Sequence, residues 1–158
     1  MNFNYNLIKG RVAETIIQQL FLELGFHVFN YGMEYASPQM LGKVNDKNSP
    51  TALQIRNMPD FVIQDPKGEL YYLEVKYRGN GKFNRKSLNK DFPYKNALFV
   101  IVSKEKIQCL SFQDLDSGLE INPSTNYELY NRKEFSTVDK TIVKRYLNYC
   151  IKFFQGVS

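Results

Sequence analysis

Four charged side chains fall where a folded chain normally places apolar ones. Glu74 and Lys76 lie two positions apart within a run of strand-forming residues, so their side chains point to the same side of a strand. Asp60 opens the preceding strand-like run, and a hairpin between the two runs would bring its carboxyl group close to Glu74. Glu14 interrupts the apolar face of the first predicted helix, although it also fits a partly solvated helix acid.

Two or three carboxylates packed beside one lysine would repel each other unless a cation is bound. A divalent ion removes this repulsion, and carboxylate oxygens are the ligands that magnesium and manganese prefer. The residues therefore predict a site for Mg²⁺, or Mn²⁺, near Asp60, Glu74 and Glu14. The alternative is that Glu74 and Lys76 form the exposed polar face of an edge strand.

Pro59-Asp60 followed by Glu74-Val75-Lys76 resembles the PD-(D/E)xK motif of the restriction-endonuclease-like nucleases. Glu14 is similar to the extra acid that many of these nucleases carry on their opening helix, including the archaeal-type Holliday junction resolvases. A second (D/E)xK tripeptide, Asp65-Pro66-Lys67, falls on a predicted turn and is set aside. Arg78 stands where some branches of the family carry Gln or Lys, which leaves the subfamily open.

The resemblance implies a restriction-endonuclease-like αβββαβ core within one nuclease-like domain over residues 1–158. The core would cover about residues 6–103, and residues 107–158 would add a peripheral strand and a C-terminal helix.

The resemblance also implies a role for each site residue. Asp60, Glu74 and the Val75 backbone carbonyl would bind the metal ion, and Lys76 would orient or deprotonate the attacking water. Glu14 would hold a second ion or a metal-bound water. The implied activity is that of an endonuclease, which hydrolyses phosphodiester bonds in DNA with Mg²⁺ or Mn²⁺ as cofactor. RNA stays open as a substrate.

Basic and aromatic residues alternate over residues 77–95, a pattern typical of segments that grip phosphates. A solvated basic loop that only keeps the protein soluble is the alternative. The residues predicted to bind nucleic acid are Tyr77, Arg78, Lys82, Arg85, Lys86 and Lys90.

The element order predicts an α/β or α+β architecture, in which helices flank a mixed sheet. Gly25 is expected to end the first helix, and Ser136 with Asp139 to cap the last one. A long excursion is expected between the first two strands. The predicted elements are a helix over 6–24, a strand over 26–31, an excursion over 32–57 with a short helix over 51–57, a hairpin over 59–64 and 69–77, a helix over 85–90, strands over 97–103 and 107–112, and a helix over 137–154.

The composition fits one globular domain, with 158 residues, 43% of them hydrophobic and 23% charged. Two cysteines, without a CxxC pair, and the single histidine exclude a Cys/His zinc site and a disulfide framework. The longest apolar run is too short to span a bilayer, so no membrane partner is expected. The N-terminus lacks a secretory signal pattern, which favours the cytoplasm. The net charge of +5 is compatible with a nucleic-acid partner, and the small size with a homodimer.

Two other function classes remain as alternatives. One is a catalytically inactive nucleic-acid-binding or accessory protein on the same fold, and the other is a protein-interaction module. Because Asp60, Glu74 and Lys76 are all present, the sequence favours an intact nuclease over a decayed one.

Overall fold

A computed structural model describes residues 3–30 and 58–157 of the chain. The predicted excursion over residues 32–57, with its short helix over 51–57, lies outside the described residues. The elements of the described part are helix α1 (Phe3–Glu23), strands β1 (His27–Asn30), β2 (Phe61–Gln64), β3 (Leu70–Tyr77), β4 (Ala97–Val102) and β5 (Ile107–Ser111), helix α2 (Phe112–Asp116) and helix α3 (Lys140–Phe154).

The five strands form one mixed sheet in the order β1-β2-β3-β4-β5. The pairs are antiparallel except for β3 and β4, which run parallel. A parallel pair needs a crossover connection, here residues 78–96. With the helices, this confirms the predicted α+β class and its mixed sheet. Nothing in the described part of the chain is a helix long and apolar enough to cross a membrane.

The predicted hairpin between β2 and β3 is confirmed, and its turn follows from local chemistry. Asp65 Oδ1 accepts hydrogen bonds from the backbone N–H groups of Lys67 and Glu69, at 2.9 and 3.0 Å. Gly68 adopts a φ of +96°, which a side chain would strain. The Asp65-Pro66-Lys67 tripeptide is therefore part of a surface turn, as the sequence predicts.

Each face of the sheet carries its own hydrophobic cluster. Leu73 and Val75 of β3 point to the face covered by α1 and α3, where residues such as Phe21 and Cys150 complete the core. Side chains of β4 such as Phe99 point to the other face, which is covered by the crossover segment and α2. Burying each such phenylalanine contributes about 1.5–3 kcal/mol, so both faces contribute to the stability of the sheet.

Four local predictions differ from the structure. The segment predicted as a helix over 85–90 contains only a three-residue 3₁₀ turn, Arg85–Ser87. Helix α3 begins at Lys140 and is capped by Asp139 alone, whose side chain accepts from the Thr141 N–H at 2.9 Å. Phe112 starts α2 and does not end β5. The spacing of apolar residues along the first helix predicts that Leu7 lies on its buried face. Leu7 is 45% exposed, because the first turns of this helix extend beyond the core.

Candidate active site

The candidate site lies where β2 and β3 separate. Strand β2 pairs with β3 only as far as Phe61 opposite Leu73. Beyond that point β3 continues to Tyr77 with β4 on one side and no described strand on the other. Extending the register by one residue places Asp60 opposite Glu74, on the same face of the sheet. The hairpin thus brings together the two acids that the sequence predicts to meet.

Asp60 is held by the backbone of the neighbouring strand. Its Oδ2 accepts a hydrogen bond from the Val75 N–H at 2.7 Å, and the residue is only 6% exposed. In a strand the N–H and C=O of one residue point to the same side. The Val75 carbonyl therefore also points to the open side of β3, towards Asp60, as the resemblance to the motif requires.

Glu74 is 7% exposed and its pKa lies well above the usual range. Burial is the main cause, and the charge and hydrogen bond of Asp60 add to it. The charge of Glu14 raises this pKa as well, whereas Lys76 lowers it. Without a bound cation, burial and the neighbouring acids therefore disfavour the charged form of Glu74.

Lys76 lies where its ammonium group could contact a ligand. Its Nζ lies 3.9 Å from Glu74 Oε1, which is too far for a hydrogen bond, and its side chain is 38% exposed. The exposed-edge alternative for this strand is wrong for Glu74, which is buried, and holds in part for Lys76. The ammonium group thus lies between the buried acids and the solvent.

A groove of about 540 Å³ passes this open edge of β3. One wall is α1, which contributes Glu14, and the other is the end of β3 with Lys76 and Tyr77. These two strand residues belong to opposite faces of the sheet, so the groove must run along its edge. Asp60 and Glu74 are buried and do not line the groove, whereas their neighbour Val75 does. Glu14 is half-buried and reaches the site from the helix side of the groove.

The described residues contain no group of three or more His, Cys, Asp or Glu side chains arranged to hold a metal ion. What the fold brings together is a pair of carboxylates, Asp60 and Glu74, beside the carbonyl side of Val75. Glu14 acts on this pair through its charge. The predicted metal site stays a prediction.

Comparisons of the chain with protein-family models, with curated proteins and with solved structures found no match. The site is therefore interpreted from its own geometry.

The predicted nucleic-acid-binding residues divide into three groups. Tyr77 and Arg78 line the groove. The guanidinium of Arg78 also donates to the Tyr77 carbonyl at 3.0 Å and lies 5.5 Å from the centre of the Phe83 ring. Burial lowers the pKa of Arg78. Lys82, Lys86 and Lys90 are exposed on the crossover segment.

Arg85 is tied to the protein itself. Its guanidinium pairs with Asp116 at 3.3 Å and donates to the carbonyls of Asn89 and Lys90, at 3.1 and 2.9 Å. It also lies 5.0 Å from the centre of the Phe112 ring. With these contacts Arg85 fastens the crossover segment to α2.

The sequence predicts that Lys82, Lys86 and Lys90 bind DNA phosphates, and on this prediction replacing all three by alanine should weaken DNA binding about equally for all sequences. The slope of log K against log salt should fall by up to about 0.9 for each duplex phosphate that the variant no longer neutralises. Fluorescence anisotropy with labelled DNA at several salt concentrations measures both effects.

Arg85→Ala is the contrasting variant for this loop. Hydrogen bonds to a charged group contribute about 1.5–3 kcal/mol to stability. Those of Arg85 should contribute less because its side chain is partly exposed, but their loss should still lower the melting temperature. If the lysine variant keeps the salt slope of the wild type, the three lysines only solvate the loop.

Sequence reasoning missed two basic residues of the groove, Lys9 and Arg11 of α1. A signal was present, since they flank Gly10, which lies one turn before Glu14 on the same helix face. The helix wheel alone could not show that this face borders the end of β3.

Proposed function

We propose that the protein is a metal-dependent endonuclease that hydrolyses phosphodiester bonds in DNA. The observation that carries this proposal is the buried pair Asp60 and Glu74 beside Lys76, at the open end of β3 and next to a basic groove. Buried acids with a raised pKa are more frequent at functional sites than elsewhere.

The restriction-endonuclease-like fold is part of the same proposal. The order of one helix, three antiparallel strands, a crossover and a parallel strand supports it. The αβββαβ pattern has a helix between its third and fourth strands. The crossover departs from this pattern, since the helical structure described in it is one 3₁₀ turn. A shortened crossover leaves the position of Asp60, Glu74 and Lys76 unchanged, because the β2–β3 hairpin alone sets it.

The donor atoms present suit a hard divalent cation such as Mg²⁺ or Mn²⁺. Asp60, Glu74 and the Val75 carbonyl would hold it, and Glu14 would hold a second ion or a water bound to the first. The raised pKa of Glu74 supports this fit, because a cation would offset the burial of its charged form, which is the main cause, and the repulsion from Asp60 that adds to it. When bound, the ion would polarise the scissile phosphate and lower the pKa of a bound water.

The residues of the chain would supply the rest of the reaction. The Val75 N–H fixes the Asp60 carboxylate by binding one of its two oxygens. Lys76 would orient or deprotonate the attacking water and offset charge on the phosphate. The groove would hold the strand so that the water attacks in line with the leaving oxygen.

One observation favours a catalytically inactive nucleic-acid-binding protein as the second candidate. Only two acids are directly paired, and the described residues form no three-ligand group. This candidate keeps the basic groove and the DNA partner but lacks hydrolysis. The homodimer and the cytoplasmic location stay predictions for both candidates.

Incubation of the purified protein with plasmid, four-way junction, single-stranded DNA and RNA tests the proposal. Each substrate is offered with Mg²⁺, with Mn²⁺ and with a chelator. Cleavage of a DNA substrate that the chelator stops is the expected result. Binding without cleavage under every condition favours the inactive candidate, and neither binding nor cleavage contradicts both.

A further inference from the structure

The hydroxyl group of Tyr77 is buried and makes no hydrogen bond within the described structure. The ring is fixed by stacking on Phe154, with the ring centres 4.2 Å apart and the planes at 26°. A buried hydroxyl without a partner costs about 1–3 kcal/mol. A phenylalanine would stack equally well without this cost. Packing therefore does not account for a tyrosine at this position.

Tyr77 lines a groove that is rich in basic residues, and the pKa of its own hydroxyl is raised by burial and by Tyr5. Lys9 Nζ lies 5.5 Å from the centre of the Tyr77 ring, and Arg11 lines the same groove one half-turn further along α1. Lys76 and Arg78 line the opposite wall. Among the described residues, four basic side chains and one acidic one, Glu14, thus line the groove. Such an excess of positive charge attracts a polyanion.

A residue without a side chain, Gly79, lies beside the hydroxyl. A Cβ atom added at Gly79 would lie 3.8 Å from Tyr77 Oη. Lys9, whose Nζ lies 5.5 Å from the centre of the Tyr77 ring, has a long and flexible side chain that can move when a ligand enters. An anion at this point could therefore receive a hydrogen bond from Tyr77 and charge from α1.

We propose that Lys9, Arg11 and the Tyr77 hydroxyl form a subsite that binds a non-scissile backbone phosphate of DNA in this groove. The inference rests on the proposed function and deepens it. Asp60 and Glu74 would act on one phosphate, while α1 holds a neighbouring phosphate of the same strand. The Tyr77 hydroxyl donates a hydrogen bond to a phosphate oxygen, and the side chains of Lys9 and Arg11 neutralise the negative charge of the phosphate. These are binding residues and take no part in the bond-breaking step.

The test measures DNA binding in a chelator, where no cleavage takes place. The probe is a short fluorescein-labelled DNA, as a single strand and as a duplex, and the readout is anisotropy at several salt concentrations. The variant Lys9→Gln/Arg11→Gln keeps the aliphatic stems but removes both charges. The matched control is Lys144→Gln/Lys152→Gln, which removes two charges from the exposed face of α3.

The groove variant is expected to bind about tenfold or more weakly. Its salt slope should be lower by up to about 0.9 for each duplex phosphate that it no longer neutralises, and by about 0.7 for each phosphate of a single strand. The control should change affinity far less. If both variants lose affinity equally, the proposal is overturned, because the loss would then follow from the lower net charge of the protein and not from these two residues. Thermal melts of both variants verify that each is folded.

Tyr77→Phe provides the second arm, since it removes one oxygen atom and retains the stacking on Phe154. Affinity should fall by roughly three- to tenfold, as for the net contribution of one typical hydrogen bond. The melting temperature of the free protein should stay equal or rise. If Tyr77→Phe lowers the melting temperature and leaves the affinity unchanged, the hydroxyl stabilises the fold and does not bind phosphate. This result would overturn its assignment to the subsite.

The outcomes also separate this inference from the proposed function. Binding that depends on Lys9, Arg11 and Tyr77 without any cleavage leaves the subsite standing and rejects the nuclease. Metal-dependent cleavage with binding that is independent of these residues rejects the subsite and leaves the nuclease standing.

Discussion

Lys76→Ala should abolish the metal-dependent cleavage of DNA, and so should Asp60→Ala and Glu74→Ala. Loss of a positioned acid–base group typically costs about 10²–10⁴-fold in rate, and loss of a metal-binding carboxylate costs at least as much. Single-turnover rates with the most sensitive DNA substrate measure the loss. The three effects should be non-additive, because residues that act as one unit lose most of the activity when any one is removed.

Lys67→Ala is the matched control for Lys76→Ala. Lys67 ends the second (D/E)xK tripeptide, but it is exposed on the turn between β2 and β3. The Asp65 contacts that shape this turn involve its backbone N–H and not its side chain. This control should cut at the wild-type rate. If Lys76→Ala also cuts at that rate, the assignment of the site is wrong.

Glu74→Gln should stabilise the metal-free protein increasingly as the pH rises. The pKa of Glu74 is raised in the folded state, whereas in the unfolded chain it lies near 4.5. Above that pH the unfolded chain releases its proton first, so the folded protein holds more protons and loses stability with rising pH. Glutamine cannot titrate, and its amide can donate to Asp60 as the protonated acid does. The variant should therefore not lose stability in this way as the pH rises.

Thermal melts of the wild type and Glu74→Gln over a pH series, in a chelator, measure the difference. A gain of about 0.5–2 kcal/mol is expected above the folded-state pKa, and each kcal/mol corresponds to roughly 2–4 °C. Glu120→Gln, at an exposed position, serves as the control and should show no such trend. A structural ion pair between Glu74 and Lys76 predicts the opposite, namely a destabilised variant.

Addition of Mg²⁺ or Mn²⁺ extends the same experiment. A cation that binds only the folded protein raises its melting temperature, and the effect should grow with pH because the ligands must be deprotonated. Glu74→Gln should respond much less than the wild type. No metal response in the wild type, together with a destabilised Glu74→Gln, would count against the nuclease site.

The hairpin and the pairing of its acids could be predicted from the sequence, because both depend on short-range chemistry. Asp65 and Gly68 specify the turn, and the turn sets the register that places Asp60 opposite Glu74. The position at which α1 ends also depends on short-range chemistry. Gly25 has a φ of +94°, and the Phe26 N–H bonds back to the Phe21 carbonyl at 3.0 Å. Alternation along β3 then fixes which side chains share a face.

Which distant elements border the site depends on the assembled fold and could not be predicted. Lys9 and Arg11 line the groove because α1 crosses the end of β3. The spacing of residues along a helix does not predict which strand that helix will cross. Arg85 resembles its lysine neighbours in the sequence, yet its contacts with Asp116 and Phe112 make it structural. The 85–90 segment forms one 3₁₀ turn because packing of the crossover outweighs weak helix propensity. These outcomes depend on contacts between residues far apart in the chain, and such contacts form only when the whole sheet is assembled.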